Sequence, residues 1–391
     1  MSRQALAQAL PAPGGAAWAL AGLLALATAV GIGRFAFTPI LPMMQEDSGV
    51  TISESGWLAS ANYIGYLVGA LWASAQPVRP DWAVRIALLI TSLATVAMVY
   101  ADGFIPWLLL RALAGISSAW ALIYVSSLCL EQLAPLRRPL LNGLVFAGVG
   151  AGIALSGVVC LALMMLDAGS SDAWLALGVI GLLLTAAVWP VFRVHDPAGR
   201  TASTARVHWT FDAVRLVACY GAFGLGYIIP ATYVPVLAKR VVEEPGVFGW
   251  AWPIFGAAAM ASTLCAAALM GVRSPRRLWM LSALAMALGV ASPVVIPGLG
   301  GIAVAALVVG GTFMVTTMAG IQEARRVAGA AASLLVAAMT AAFAAGQVVG
   351  PLLVSALVGR SQGLSDALLV ACVVLIASVL GLAIPKTGEA Q

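Results

Sequence analysis

"GIGRFAFTPILP" occupies residues 31–42 and "GLGYIIPATYVP" occupies residues 224–235. Gly31, Gly33 and Pro42 of the first fall on Gly224, Gly226 and Pro235 of the second, at a constant offset of 193. The frame of glycine and proline is shared, but Arg34 in the first copy becomes Tyr227 in the second. A guanidinium keeps its charge at any accessible pH, yet Arg34 lies in an otherwise apolar run from about residue 16 to residue 44. Two questions follow: what kind of chain repeats such a segment, and why one copy carries a charge.

Composition answers the first in outline. Of 391 residues, 62% are hydrophobic and 9% charged, against about 25% charged in soluble domains. With a mean hydropathy of +1.01, the chain has too little polar surface to be a soluble globule and reads as integral to a membrane. Helices and closed barrels alone satisfy their backbone in lipid, and apolar runs this long are helices of about 20 residues or more. Twelve such spans are expected, at about 16–44, 57–75, 83–101, 104–130, 140–166, 172–192, 214–237, 249–272, 278–297, 299–322, 329–359 and 364–385. The first run is too long for the apolar core of a cleaved leader and reads as a span.

Arginine and lysine mark the cytoplasmic side. With both ends inside, the inner segments hold fifteen basic residues, from Arg3, Arg79 and Arg85 through Arg325, Arg326 and Lys386; the outer loops hold Lys239, Arg240 and Arg360. Both termini are therefore expected in the cytoplasm. The preference for arginine over lysine, with abundant alanine and glycine, suits a GC-rich bacterial genome and hence a bacterial inner membrane. Arg34 and Arg111 remain, both inside spans. The five cysteines sit in apolar stretches without CxxC spacing, and the two histidines share one polar loop, so no metal or disulfide framework is expected. Neither a phosphate-cradling loop nor a nucleophile–base constellation is present, which argues against ATP-driven chemistry and against an intramembrane enzyme. No cofactor and no nucleic-acid partner are expected.

The longest polar connection, "FRVHDPAGRTASTARVHWTFDAVR" (192–215), divides the chain. The expected organisation is a six-helix bundle over 1–192, a cytoplasmic loop over 193–213 and a second six-helix bundle over 214–391. Gly148 and Gly152 in span 5 echo Gly346 and Gly350 in span 11; a spacing of four puts small residues on one helix face and permits close packing. Two similarly oriented copies of six helices is an architecture of transporters.

The pattern resembles the major facilitator superfamily. "RALAGISSA" (111–119) is similar to its span-4 signature and "GVGAGIALSG" (148–157) to its glycine-rich span 5. More narrowly, "GIGRFAFTPILP", "YGAFGLGYIIPATYVPVLA" (220–238), "GGTFMVTTMAGIQEAR" (310–325) and "MTAAFAAGQVVGPLL" (339–353) resemble the YbfB/YjiJ-type branch. The resemblance implies an all-α membrane fold of two pseudo-symmetric bundles, with spans 1, 4, 7 and 10 around a central cavity. One departure stands out: the superfamily's aspartate after span 2 is replaced here by Ala73, and "GVRSPRR" (271–277) keeps only the basic part of the second copy.

On that fold, Arg34 and Arg111 sit on neighbouring helices of one half. Either they grip an anionic group of a solute, or each ties a neighbouring span through backbone carbonyls or pairs with Glu46, Asp47 or Asp102. A buried arginine is costly in lipid and usually functional. Helical spacing adds Thr38, Ser118, Tyr220, Tyr227 and Thr316 as candidate solute contacts, each with an ordinary packing or intrahelical role as its alternative. Gly31, Gly33, Pro39, Pro42, Gly224, Gly226, Pro235, Gly148, Gly152, Gly346 and Gly350 are candidate hinge or gating positions. No acid lies mid-span; Glu131 and Glu323, at the inner ends of spans 4 and 10, are candidates for coupling or for plain ion pairing. The expected function is a monomeric secondary transporter moving a small organic solute, anionic or zwitterionic, by alternating access. Efflux of hydrophobic compounds is the rival reading, and a non-transporting receptor or scaffold a more distant one.

Overall fold

The computed structural model describes residues 14–75, 78–193, 209–269, 274–357 and 363–384. The central loop at 194–208 and the segment Gly271–Arg273 of "GVRSPRR" lie outside the described residues. Twelve spans follow in order: α1 Gly15–Asp47, α2 Ile52–Ala75, α3 Pro80–Ala97, α4 Phe104–Leu133, α5 Pro139–Met164, α6 Ser170–Val188, α7 Phe211–Val241, α8 Ala251–Leu269, α9 Pro275–Val295, α10 Leu299–Ala328, α11 Ala332–Leu357 and α12 Gly363–Ala383. Eleven are long and apolar enough to cross a membrane. The twelfth, α2, has the length, but Ser53, Glu54, Ser55, Ser60 and Asn62 dilute it. It can carry them because it packs between α4 and α11; Ser55, Ser60 and Asn62 are fully buried there.

The second half repeats the packing of the first. Contacts of α2 with α4, α3 with α4, α1 with α5 and α3 with α6 recur as α8 with α10, α9 with α10, α7 with α11 and α9 with α12. The fold is thus two pseudo-symmetric six-helix bundles, joined mainly along α5–α8 and α2–α11. Across α5–α8 the backbones meet directly: a Cβ on Gly256 would lie 2.2 Å from the Ala154 nitrogen. In lipid there is no hydrophobic drive between helices, so such close packing supplies the cohesion. Across α2–α11, the Ser60 hydroxyl donates to Val348 O and the Ser355 hydroxyl to Ser53 O. The face bearing Gly15, Arg193, Phe211 and Ile384 is called the near face below, and the one bearing Asp47, Ser170 and Lys239 the far face.

The halves differ in the quoted repeat. α7 runs unbroken through Pro230 and Pro235, starting at Phe211 because Thr210 caps the Ala213 nitrogen. α1 divides into Gly15–Leu26, a wide π turn Ala27–Ile32, a turn at 33–36 in which Gly33 and Ala36 keep right-handed helical angles, and Phe37–Asp47. In the π turn, Gly33 N donates to Thr28 O and Phe35 N to Val30 O, each five residues back. Such insertions often mark functional positions.

Candidate functional site

The site is built around that break. Pro39 has no N–H, so Phe35 O loses its natural helical donor. Thr38 N takes the vacancy, donating to Phe35 O at 3.1 Å. Arg34 O, which a regular helix would pair with Thr38 N, is thereby released into the protein interior. An unpaired buried carbonyl is costly, and Arg111 satisfies it. Arg111 Nη2 donates to Arg34 O at 3.2 Å, Nη1 to Gly33 O at 3.4 Å and Nε to Leu58 O at 3.5 Å. Its guanidinium also lies 4.8 Å from the Phe37 ring centre. The geometry matches the carbonyl-tying alternative for Arg111: three of its five N–H donors go to carbonyls of α1 and α2. Asn62 closes the arrangement by donating to Arg111 O at 3.0 Å.

Arg34 is held differently. It is 4% exposed, and its Nη2 donates to Gln347 Oε1 of α11, in the other half. Gln347 Nε2 donates in turn to the Tyr227 hydroxyl of α7. Arg34 and its repeat counterpart Tyr227 are therefore linked through one amide. The guanidinium is 4.4 Å from the Tyr66 ring centre, 5.0 Å from Tyr63 and 5.3 Å from Phe35, an aromatic setting that favours a cation. Its Nε has no partner. The ion pairs of the described residues join other groups, and neither Arg34 nor Arg111 is among them. Glu46 pairs with Lys239 at 2.5 Å, and Asp47 holds Ser170 through its backbone and hydroxyl. Two buried cations thus share a site whose hydrogen-bonding partners are all neutral.

The remaining expected contacts divide. Tyr227 lies against Phe313 and Phe343 inside the site. Thr316, also on α10, is fully buried with an unpartnered hydroxyl. Thr38 donates to Ala231 O across to α7 at 3.1 Å. Ser118 donates within its own helix to Gly115 O. Tyr220 sits farther along α7 against Phe223, Trp279 and Phe343. Gly31 packs on Gly152 of α5, whereas Thr38, four residues on from Arg34, meets α7 at Ala231, four residues on from Tyr227.

The hinge candidates are packing positions in this structure. A Cβ on Gly31 would lie 2.4 Å from Gly152 Cα, and one on Gly152 would lie 2.3 Å from Ala27 O, so α1 and α5 touch backbone to backbone. Gly148 packs on Leu23, Gly33 on Thr91, Gly224 on Phe343, Gly226 on Leu375, Gly346 on Gly221 and Gly350 on Ile228. Pro42 and Pro235 lie inside helices, and Pro42 O accepts from Lys239 Nζ. Thr38–Ala231 and Glu46–Lys239 both join positions 193 apart. Equivalent residues of a repeat can touch only beside the symmetry axis, so that axis runs between α1 and α7, and these contacts close the far face. At the near face, Glu323 is fully buried and pairs with Arg276 at 2.9 Å and Arg326 at 3.2 Å. Asp212 joins the same group through Arg276 and Arg215. Glu131 is exposed.

Sequence reasoning missed Gln347, Tyr63, Tyr66, Phe343 and Phe255. Gln347 had a readable signal: it is the one amide in "MTAAFAAGQVVGPLL", a stretch read for its glycines and its family resemblance.

No curated protein sequence matches this one. Among solved structures, the crystal structure of a point mutant of the nucleoside transporter NupG is similar, with a TM-score of 0.72 at 12% identity, covering 94% of this chain and 98% of that one. At that identity the likeness carries the fold alone. A family model described as "Uncharacterised MFS-type transporter YbfB" matches residues 26–383, nearly the whole membrane domain. The chain therefore belongs to that family of major facilitator transporters: it is a multi-pass membrane transporter and not an enzyme.

Proposed function

We propose that the protein moves a small organic anion or zwitterion across a bacterial inner membrane by alternating access, with Arg34 as the group that receives the negative charge. One observation carries this reading: Arg34 is buried with no carboxylate paired to it, and its partner across the halves is the neutral amide of Gln347. A charge left uncompensated in a dry interior is unfavourable, and an anionic solute removes the deficit. In this reading Arg111 acts as a positioning residue, holding the broken α1 so that Arg34 is presented. Tyr227, Thr316 and Thr38 complete the solute site, with Ser118 and Tyr220 at its margins. The glycines and prolines of α1, α5, α7 and α11 carry the rocking of one bundle against the other.

The near face is assigned to the cytoplasm because basic residues concentrate on that side of the sequence. The closed far face is then the periplasmic one. We assign the halves to 1–192 and 214–391, with 193–213 as the connecting loop, and take the monomer as the working unit. Coupling, where present, falls to Glu323, which is buried and doubly paired, and to Glu131, at the corresponding end of α4. The test is a thermal-shift screen of acidic, neutral and cationic solutes on the purified protein. Acidic solutes are expected to stabilise the wild type and not Arg34→Ala. Stabilisation by neutral or cationic compounds alone overturns the anion reading and favours hydrophobic efflux.

A further inference from the structure

Aromatic rings extend from Arg34 across the second half. The Tyr227 ring lies near-parallel to those of Phe313 and Phe343, at interplanar angles of 4° and 8°, with both ring centres 5.5 Å away. Phe313 stacks in turn on Phe255 at 5.8 Å, and Phe255 on Trp252 at 4.8 Å. At the head of this ladder the Gln347 amide bridges Arg34 and the Tyr227 hydroxyl. Two buried polar groups lack partners, Arg34 Nε at this head and Thr316 Oγ1 three residues along α10 from Phe313. The cationic site is thus bordered by a row of parallel ring faces and holds unspent donors.

We propose that the solute is an aromatic monocarboxylate, and this rests on the anion reading above. Three features select it. First, the flat amide of Gln347 presents an oxygen where one carboxylate oxygen would sit; a carboxylate displaces it and gains Arg34 Nε as a second donor, the paired geometry guanidinium favours. Second, the solute's ring joins the Tyr227–Phe313–Phe343 row by offset stacking, which an alkyl ring cannot reproduce. Third, Arg111 holds three backbone carbonyls, so Arg34 is the guanidinium left to meet the solute and one negative charge is accepted. A second negative charge would be buried among ring faces without a cation. Displacing Gln347 also severs the Arg34–Gln347 bond between α1 and α11, so the solute breaks a tie between the halves as it binds.

The experiment uses the full chain in nanodiscs with benzoate, cyclohexanecarboxylate and benzamide as probes at matched ionic strength, read by calorimetry at millimolar concentrations. Benzoate is expected to bind about tenfold more tightly than cyclohexanecarboxylate, with benzamide weakest. Phe313→Leu is expected to erase the benzoate advantage over cyclohexanecarboxylate, and Arg34→Gln to abolish binding of both acids. Equal affinity for the two acids overturns the aromatic assignment and leaves the anion reading standing. Benzamide binding as well as benzoate overturns both. Absence of binding by either acid overturns the aromatic-monocarboxylate assignment. The wild-type comparison is decisive without any variant.

Discussion

At the scale of the residue, the two buried arginines have opposite kinds of partner. Arg111 has three backbone carbonyls; Arg34 has one side-chain amide and aromatic faces. Removing them should therefore have different consequences. Arg111→Gln leaves the Gly33 and Arg34 carbonyls unpaired and is expected to lower unfolding stability by about 2–4 kcal/mol, measured by denaturant titration in detergent, with discrimination between acidic and neutral solutes retained. Gln347→Leu strips Arg34 of its neutral partner. The ligand-free protein is expected to lose about 1–3 kcal/mol, and a saturating acid should recover more stability than it gives the wild type. Equal recovery in both proteins would show that Gln347 does not stand where the solute's oxygen goes.

At the scale of the element, α1 explains what the sequence revealed and what it hid. The apolar run, its prolines and the offset of 193 were visible in the letters, because membrane spans are long and apolar and repeats keep their small residues. The consequence of Pro39 was not visible. It depends on which carbonyl is released and on which distant side chain takes it, and Arg111 is 77 positions from the Arg34 carbonyl to which it donates. The π turn was equally hidden, since nothing in the letters marks the hydrogen bonds five residues back that widen the helix there. The glycines were readable as small, but their partners were not. Gly152→Ala forces a Cβ to within 2.3 Å of Ala27 O and is expected to cost about 1–3 kcal/mol. Gly311→Ala, on a helix with open space at that position, should be neutral or gain up to about 1 kcal/mol. Thermal unfolding of the pair measures both; equal losses would refute the close α1–α5 approach.

At the scale of the whole molecule, the twelve spans and the duplication follow from composition and offset, whereas the solute site draws on α1, α2, α7, α10 and α11 together. That assembly arises from how the halves meet, which no single span encodes; hence Tyr63, Tyr66 and Gln347 escaped a reading confined to spans 1, 4, 7 and 10. The contacts at the far face make the closed state testable. Lys239→Glu places like charges beside Glu46 and should favour opening there by about two- to fivefold in population, the scale of an exposed ion pair. The measurement is the rate of thiol labelling at Thr38→Cys, in a background with Cys265 and Cys372 replaced by serine. Faster labelling with Lys239→Glu is expected; an unchanged rate would show that the Glu46–Lys239 pair does not hold this face shut.

Whether Arg34 receives a negative charge from the solute is decided by an acid and its own amide. The best stabilising acid and the corresponding uncharged amide are compared on the wild type and on Arg34→Gln, by calorimetric binding in nanodiscs. The acid is expected to bind the wild type, the amide to bind at least about tenfold more weakly, and Arg34→Gln to erase this difference. Equal binding of acid and amide by the wild type, or an acid preference that survives in Arg34→Gln, would contradict a charge-receiving role for Arg34.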